Sequence, residues 1–222
     1  MIDYKGEYKK QVANNLKQVL SEIESSDMKF KIENWATKFG YSFDEIKAKN
    51  VDDEVFRCVF IKEPGRQSFH QKVASLYIQG LQFVENFKVL PSGGKNAIYL
   101  TSGKLFDGKT LKAKSKDIKS IDFTWRTGKI IIYASHKYTG INGGTQDNQY
   151  HDIQAFLNHA RDCNDANVIF LAICDGDYYL QKDSKTGDET KLKRLERLTD
   201  GKRVFALNTN QLSQFLKSLI TN

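Results

Sequence analysis

Residues 118–157 read IKSIDFTWRTGKIIIYASHKYTGINGGTQDNQYHDIQAFL, and the fold turns on this stretch. Ser120 to Trp125 is rich in β-branched and aromatic residues, Thr127-Gly128 is a turn signal, and Lys129 to Tyr138 is a second β-rich run. A hairpin centred on Thr127-Gly128 places Asp122 opposite Tyr133 and diagonal to Ser135. Side chains alternate along a strand, so Tyr133, Ser135 and Lys137 share one face with Asp122. The loop from Gly140 to Gly144 then leads into a helix that opens near Thr145 and carries Asp147, His151 and Asp152 in its first two turns.

An aspartate on one strand and a lysine on the next suit a metal-dependent phosphodiesterase. The carboxylate holds a divalent cation, which acidifies a bound water and neutralises phosphate charge. The lysine orients the water or stabilises the developing negative charge. The alternative is an ordinary hairpin with solvated polar side chains.

The 222 residues suit one large domain, or one with a small appendage, and can bury a sizeable core. A net charge of +7 and a pI near 9.1 favour a polyanionic partner, with nucleic acid the commonest one, against a basic protein that is merely soluble. Apolar runs are too short to cross a bilayer and no secretory segment follows Met1, so the expected compartment is the cytoplasm, without a membrane partner. Cys58, Cys163 and Cys174 are odd in number and lack CxxC spacing, which points away from a disulfide framework or zinc site.

Outward from the hairpin, Val12, Leu16, Val19, Leu20 and Ile23 give residues 7–25 an amphipathic helical period. Residues 32–49 read as two short helices broken at Gly40, the second capped by Ser42. Trp35-Ala36 and Phe39-Gly40-Tyr41-Ser42 fit either a helix-turn-helix-like segment entering a major groove or two packed helices of a cap. After the turn at Glu63-Pro64-Gly65, residues 66–87 read as one long helix with Gln71 and Ser75 beside its apolar face. Residues 96–102 read as a strand. The five lysines of residues 109–119 form either a phosphate-tracking arm or a solvated loop. Asn167 to Cys174 is a continuous apolar run, as expected of a central strand buried on both faces. Asp175 and Asp177 flank a turn glycine, where they serve the turn or add a metal ligand. Residues 182–203 read as loop, 204–207 as a last strand and 211–220 as a closing helix. The sum is α/β: a central mixed β-sheet flanked by helices, with a helical region at 1–62 and a core at 63–222.

From 64 to 179 the chain resembles type II restriction endonucleases of the PD-(D/E)xK nuclease superfamily, on the strength of Asp122, Ser135-His136-Lys137, the GGTQDNQ run with its helix, and the helix that begins at Arg66. That resemblance implies a nuclease-like core in which a helix, a hairpin and a second helix surround Mg²⁺. It also implies a homodimer that cuts double-stranded DNA at a short sequence. Where the family usually has Glu or Asp two residues before the lysine, this chain has Ser135, and a serine does not replace a carboxylate as a hard-metal ligand. One Ser-x-Lys subgroup takes the acid from the next helix, which here offers Asp152, Asp147 and His151, the last a neutral imidazole that suits Mg²⁺ poorly. The helix before the site often carries Glu, where this chain has Gln71. The implied catalytic set is thus Asp122, Ser135, Lys137, Asp152, Asp147 and Gln71, with Asp122, Asp152 and Asp147 as metal ligands. The competing function is a non-catalytic DNA-binding protein with a degenerate nuclease core.

Overall fold

A computed structural model of the chain describes residues 2–110, 118–141, 146–182 and 187–221. The chain divides into two compact units, Asp3–Val73 and Ala74–Asn222, the second also taking Met1–Ile2. The division falls at 73/74, inside a helix, where the sequence suggested a boundary at 62/63.

The first unit is helical. It holds α1 (Tyr4–Ser21), α2 (Ser26–Phe39), α3 (Phe43–Asp52), the single turn α4 (Glu54–Arg57), a 3₁₀ turn at Pro64–Gln67 and the start of α5 (Phe69–Gln79). Gly40 ends α2 at φ 74°, and Ser42 opens α3 with a reciprocal capping box to Glu45, so the two helices expected on either side of Gly40 form. Val19, Met28, Ile32, Ala36, Ile46 and Phe60 are its core. The second helix of that pair, α3, begins with Asp44 and Glu45, both exposed, an opening that repels phosphates.

The second unit is the α/β fold expected from the sequence. Its strands are β1 (Glu85–Val89), β2 (Ile98–Thr101), β3 (Lys104–Asp107), β4 (Lys119–Ser120), β5 (Phe123–Thr127), β6 (Ile130–Tyr138), β7 (Val168–Asp175) and β8 (Val204–Leu207). Its remaining helices are α6 (Gln146–Arg161), α7 (Asp177–Leu180), α8 (Lys191–Glu196) and α9 (Thr209–Thr221). The main sheet is mixed, in the order β1-β5-β6-β7-β8, and a small sheet has the order β3-β2-β4. β1, β5 and β6 are antiparallel; β6, β7 and β8 are parallel, as the α6 crossover requires. Every residue of β7 is buried, so both of its faces are covered. On one face α6 packs Ile153, Phe156 and Leu157 against Phe170, Ala172 and Cys174. On the other, Leu212 and Leu216 of α9 and Ala74 and Ile78 of α5 meet Trp125, Ile132 and Leu171.

Two expectations are corrected. The long helix over 66–87 is α5 followed by β1: Phe83 and Asn86 have φ of 75° and 54°, values no helix permits. The loop over 182–203 contains α8, opened by the Thr190 side chain, which accepts from the Lys193 N–H.

Just before β8, one Asp200 oxygen accepts the N–H groups of Lys202, Arg203 and Val204 at 2.8–2.9 Å. Partial burial opposes ionisation, but these donors outweigh it and hold the carboxyl below its ordinary value. A lowered folded-state pKa means the contribution is fully present above the unfolded value and is lost as pH falls through the folded one. Asp200→Ala is expected to cost roughly 1 kcal/mol at neutral pH, the low end for charge-assisted bonds because the group is partly exposed. The same variant should show a smaller deficit in strong acid; an equal deficit at both pH values in denaturant unfolding would refute the assignment.

Candidate active site

The hairpin forms with Thr127 paired to Ile130, so its turn is Gly128-Lys129, with Gly128 at φ 60°. The pairing is two residues away from the expected one: Thr124, not Asp122, lies across from Tyr133. A two-residue slip preserves the faces, because side chains alternate with period two. Continued by one step from Phe123–Ala134, the register brings Asp122 directly across from Ser135. There the ladder departs from regular pairing. The Asp122 N–H donates to the Ala134 carbonyl at 2.9 Å and its carbonyl accepts from Leu90. One carboxylate oxygen accepts the His136 N–H at 2.8 Å and the Ser135 hydroxyl at 3.3 Å. Asp122 is thus oriented by the strand that carries Ser135 and Lys137.

The face shared by Ser135 and Lys137 is the one covered by α6, since Ser135 pairs with Ala172 in the core beneath that helix. Asp152 of α6 comes to this edge. One of its oxygens lies 2.9 Å from the Lys119 Nζ and the other 4.0 Å from the Lys137 Nζ. Lys119 is 21% exposed, Lys137 32% and Asp152 49%, so these are groups at a solvent boundary where pairing orders side chains more than it stabilises the fold. Asp147 is turned to α7, where its carboxylate accepts the Tyr178 hydroxyl at 2.6 Å. His151 pairs with Gln154 on its own helix. Gln71 lies on α5 within the helical unit, whereas the other five site residues lie in the α/β unit. Among the described residues, no group of three or more His, Cys, Asp and Glu stands ready for a metal ion. Asn142 to Thr145 of the Gly-rich loop and 111–117 of the lysine arm lie outside the described residues.

The opposite face of β6 carries a second polar group. The His136 Nε2 lies 3.2 Å from one buried Asp175 oxygen, and the other oxygen accepts the Thr209 N–H and hydroxyl at 2.9 and 3.0 Å. Asp175 therefore caps α9 and ties it to β6. Burial, with Asp175 alongside, pushes the Cys174 thiol well up, so that sulfur remains a protonated core side chain. Gly176 has φ 101°, and a Cβ there would run into the Thr139 main chain, which explains the glycine between the two aspartates. Both acids have structural settings: Asp175 as described, and Asp177 at the first position of α7.

Lys119 is the residue that sequence reasoning did not single out. It belonged to a lysine run, and the pairing of β4 with β2 is what fixes its place.

No family model matches the chain, and no curated protein matches it. Among solved structures, the chain is similar to protein VC1899 from Vibrio cholerae, at 10% identity and a TM-score of 0.35. That alignment covers 97% of this chain and 56% of the other, so the chain spans about half the length of that neighbour. A likeness of this size carries no functional argument. No helix among the described residues is long and apolar enough to cross a membrane.

Proposed function

We propose that this chain is a Mg²⁺-dependent endonuclease that hydrolyses phosphodiester bonds in double-stranded DNA, with the specificity and homodimeric state of a type II restriction enzyme. One observation carries the reading: Asp122 stands across from Ser135 on the hairpin, and the next helix brings Asp152 to Lys137. This is the arrangement in which an acid missing two residues before the lysine is supplied from elsewhere. The succession of α5, an antiparallel three-strand unit, α6 and a parallel strand supports the same reading. Asp3–Val73 has 13 Lys and Arg against 12 Asp and Glu, which leaves +6 of the +7 to the α/β unit, the sign expected for a phosphate-binding surface.

Asp122 and Asp152 are hard oxygen donors of the kind Mg²⁺ takes, and Asp147 is a third candidate. Bound there, Mg²⁺ would acidify a water and neutralise phosphate charge. The Ser135 hydroxyl, donating to Asp122, positions that carboxylate. Lys137, steadied by Asp152, offers an ammonium to the phosphate, and Lys119 offers a second.

A specific observation favours the other reading, a non-catalytic DNA-binding protein. Lysines face both oxygens of Asp152, two donors occupy one oxygen of Asp122, and no three-residue metal cluster occurs among the described residues. Digestion of a sequenced plasmid with Mg²⁺, followed by mapping of the ends, decides between them. Lys137→Ala is expected to slow cleavage about a hundredfold or more, while a DNA complex survives with Ca²⁺ in place of Mg²⁺. Near-parental cleavage by that variant would remove Lys137 from the chemistry.

A further inference from the structure

The helical unit carries a groove that the nuclease reading leaves unused. Lys31, Asn34, Trp35 and Lys38 recur at helical spacing and share one face of α2. With residues 59–63 they line a cleft of about 650 Å³. Its aromatic lining residues are Trp35 and Phe60. Trp35 lies 4.5 Å from Phe39, 6.2 Å from Phe60 and 5.9 Å from Tyr41, the last nearly parallel at 24°. Phe39 and Tyr41, packed on Trp35, are 51% and 55% exposed. Lys38 lies 5.3 Å from the Phe39 ring centroid. Three lysines, Lys31, Lys38 and Lys62, line the cleft beside a single acid, Glu63. The Glu63 carboxylate already accepts the Tyr8 hydroxyl and the Gly65 N–H. In a unit whose net charge is only +1, this concentration of cations is local.

We propose that this groove binds single-stranded nucleic acid, with bases on the Trp35–Phe39–Tyr41 surface and phosphates on the three lysines. Interleaved aromatic rings and cations match a ligand that alternates planar apolar faces with anionic groups. An apolar peptide would satisfy the rings but leave the cations unmatched. A duplex would satisfy the cations but keeps its base faces stacked inside, away from the rings.

The site uses no residue of the proposed catalytic set, so it is tested without catalysis. Binding is measured in EDTA, by anisotropy, with fluorescein-labelled oligothymidylate and, separately, a labelled mixed-sequence duplex. The side chains to be changed are all exposed, and thermal melting checks that the fold is retained. Combined Lys31→Gln, Lys38→Gln and Lys62→Gln is expected to weaken oligothymidylate binding about tenfold or more. It should also flatten the plot of log affinity against log salt by about 2, at roughly 0.7 per phosphate contact. Tyr41→Ala should weaken it about tenfold with the slope unchanged, since stacking releases no counterions. Duplex binding should change little in either variant. Three results would each overturn the proposal: no oligothymidylate binding by the parent, parental affinity and slope in the triple variant, or equal losses for duplex and single strand. Plasmid cleavage by the same variants is scored apart, so failure of the groove and failure of the nuclease reading remain distinguishable.

Discussion

Asp122→Asn is expected to keep its fold and to lose Mg²⁺-dependent DNA cleavage by about a thousandfold or more. The magnitude follows from several kcal/mol of metal-borne charge stabilisation at ~1.4 kcal/mol per tenfold in rate. The fold should survive because the structural duty of Asp122 is to accept hydrogen bonds. Its Oδ2 takes the His136 N–H at 2.8 Å and the Ser135 hydroxyl at 3.3 Å, and the oxygen of an asparagine can do the same. Asparagine lacks the negative charge that a hard cation needs. The substitution therefore separates the two duties of one side chain. Calorimetry of Mg²⁺ binding to the DNA complex is the direct check: heats equal to those of the parent would show that Asp122 is not a ligand. A large fall in melting temperature would show instead that the carboxylate charge itself holds β6.

The features legible in the sequence were those written in local period. Alternation along Tyr133, Ser135 and Lys137, the apolar run of β7, and the Gly40–Ser42 break between α2 and α3 needed only neighbouring residues. The face occupied by Asp122 survived an error in register because an even slip leaves alternation intact. The strand β1 was hidden for the opposite reason. Phe83, Val84 and Phe87 continue the helical apolar spacing of α5, while the chain turns through Phe83 and Asn86 at positive φ, a cost that no residue type announced. Polar pairs were the least legible. Lys119 meets Asp152 across 33 residues and His136 meets Asp175 across 39, and such meetings depend on which strands become neighbours. Among many lysines and aspartates, composition ranks none of these pairs above the rest.

Asp152→Asn is expected to lower cleavage about a hundredfold or more, because it removes both a hard donor and the anion that steadies Lys137. Asp147→Asn is expected to keep most activity. Its partner is the Tyr178 hydroxyl at 2.6 Å, which an amide oxygen also accepts, and a first-turn acid on α6 has its own favourable interaction with the helix dipole. Loss of activity in Asp152→Asn alone leaves two explanations, a missing ligand or a loosened lysine. Adding Ser135→Glu separates them. Position 135 is two residues before Lys137 and across from Asp122, so a glutamate there places a carboxylate beside Asp122 without restoring the contact between α6 and Lys137. Ser135 is only 5% exposed, so the longer side chain has to reach toward the open edge, and only partial recovery is expected. Recovery in the Asp152→Asn, Ser135→Glu double variant assigns Asp152 as the substitute ligand; continued inactivity with an unchanged melting temperature assigns it to positioning Lys137. Parental cutting by Asp152→Asn would remove it from the site altogether, and inactivity of Asp147→Asn alone would transfer the ligand role to the start of α6.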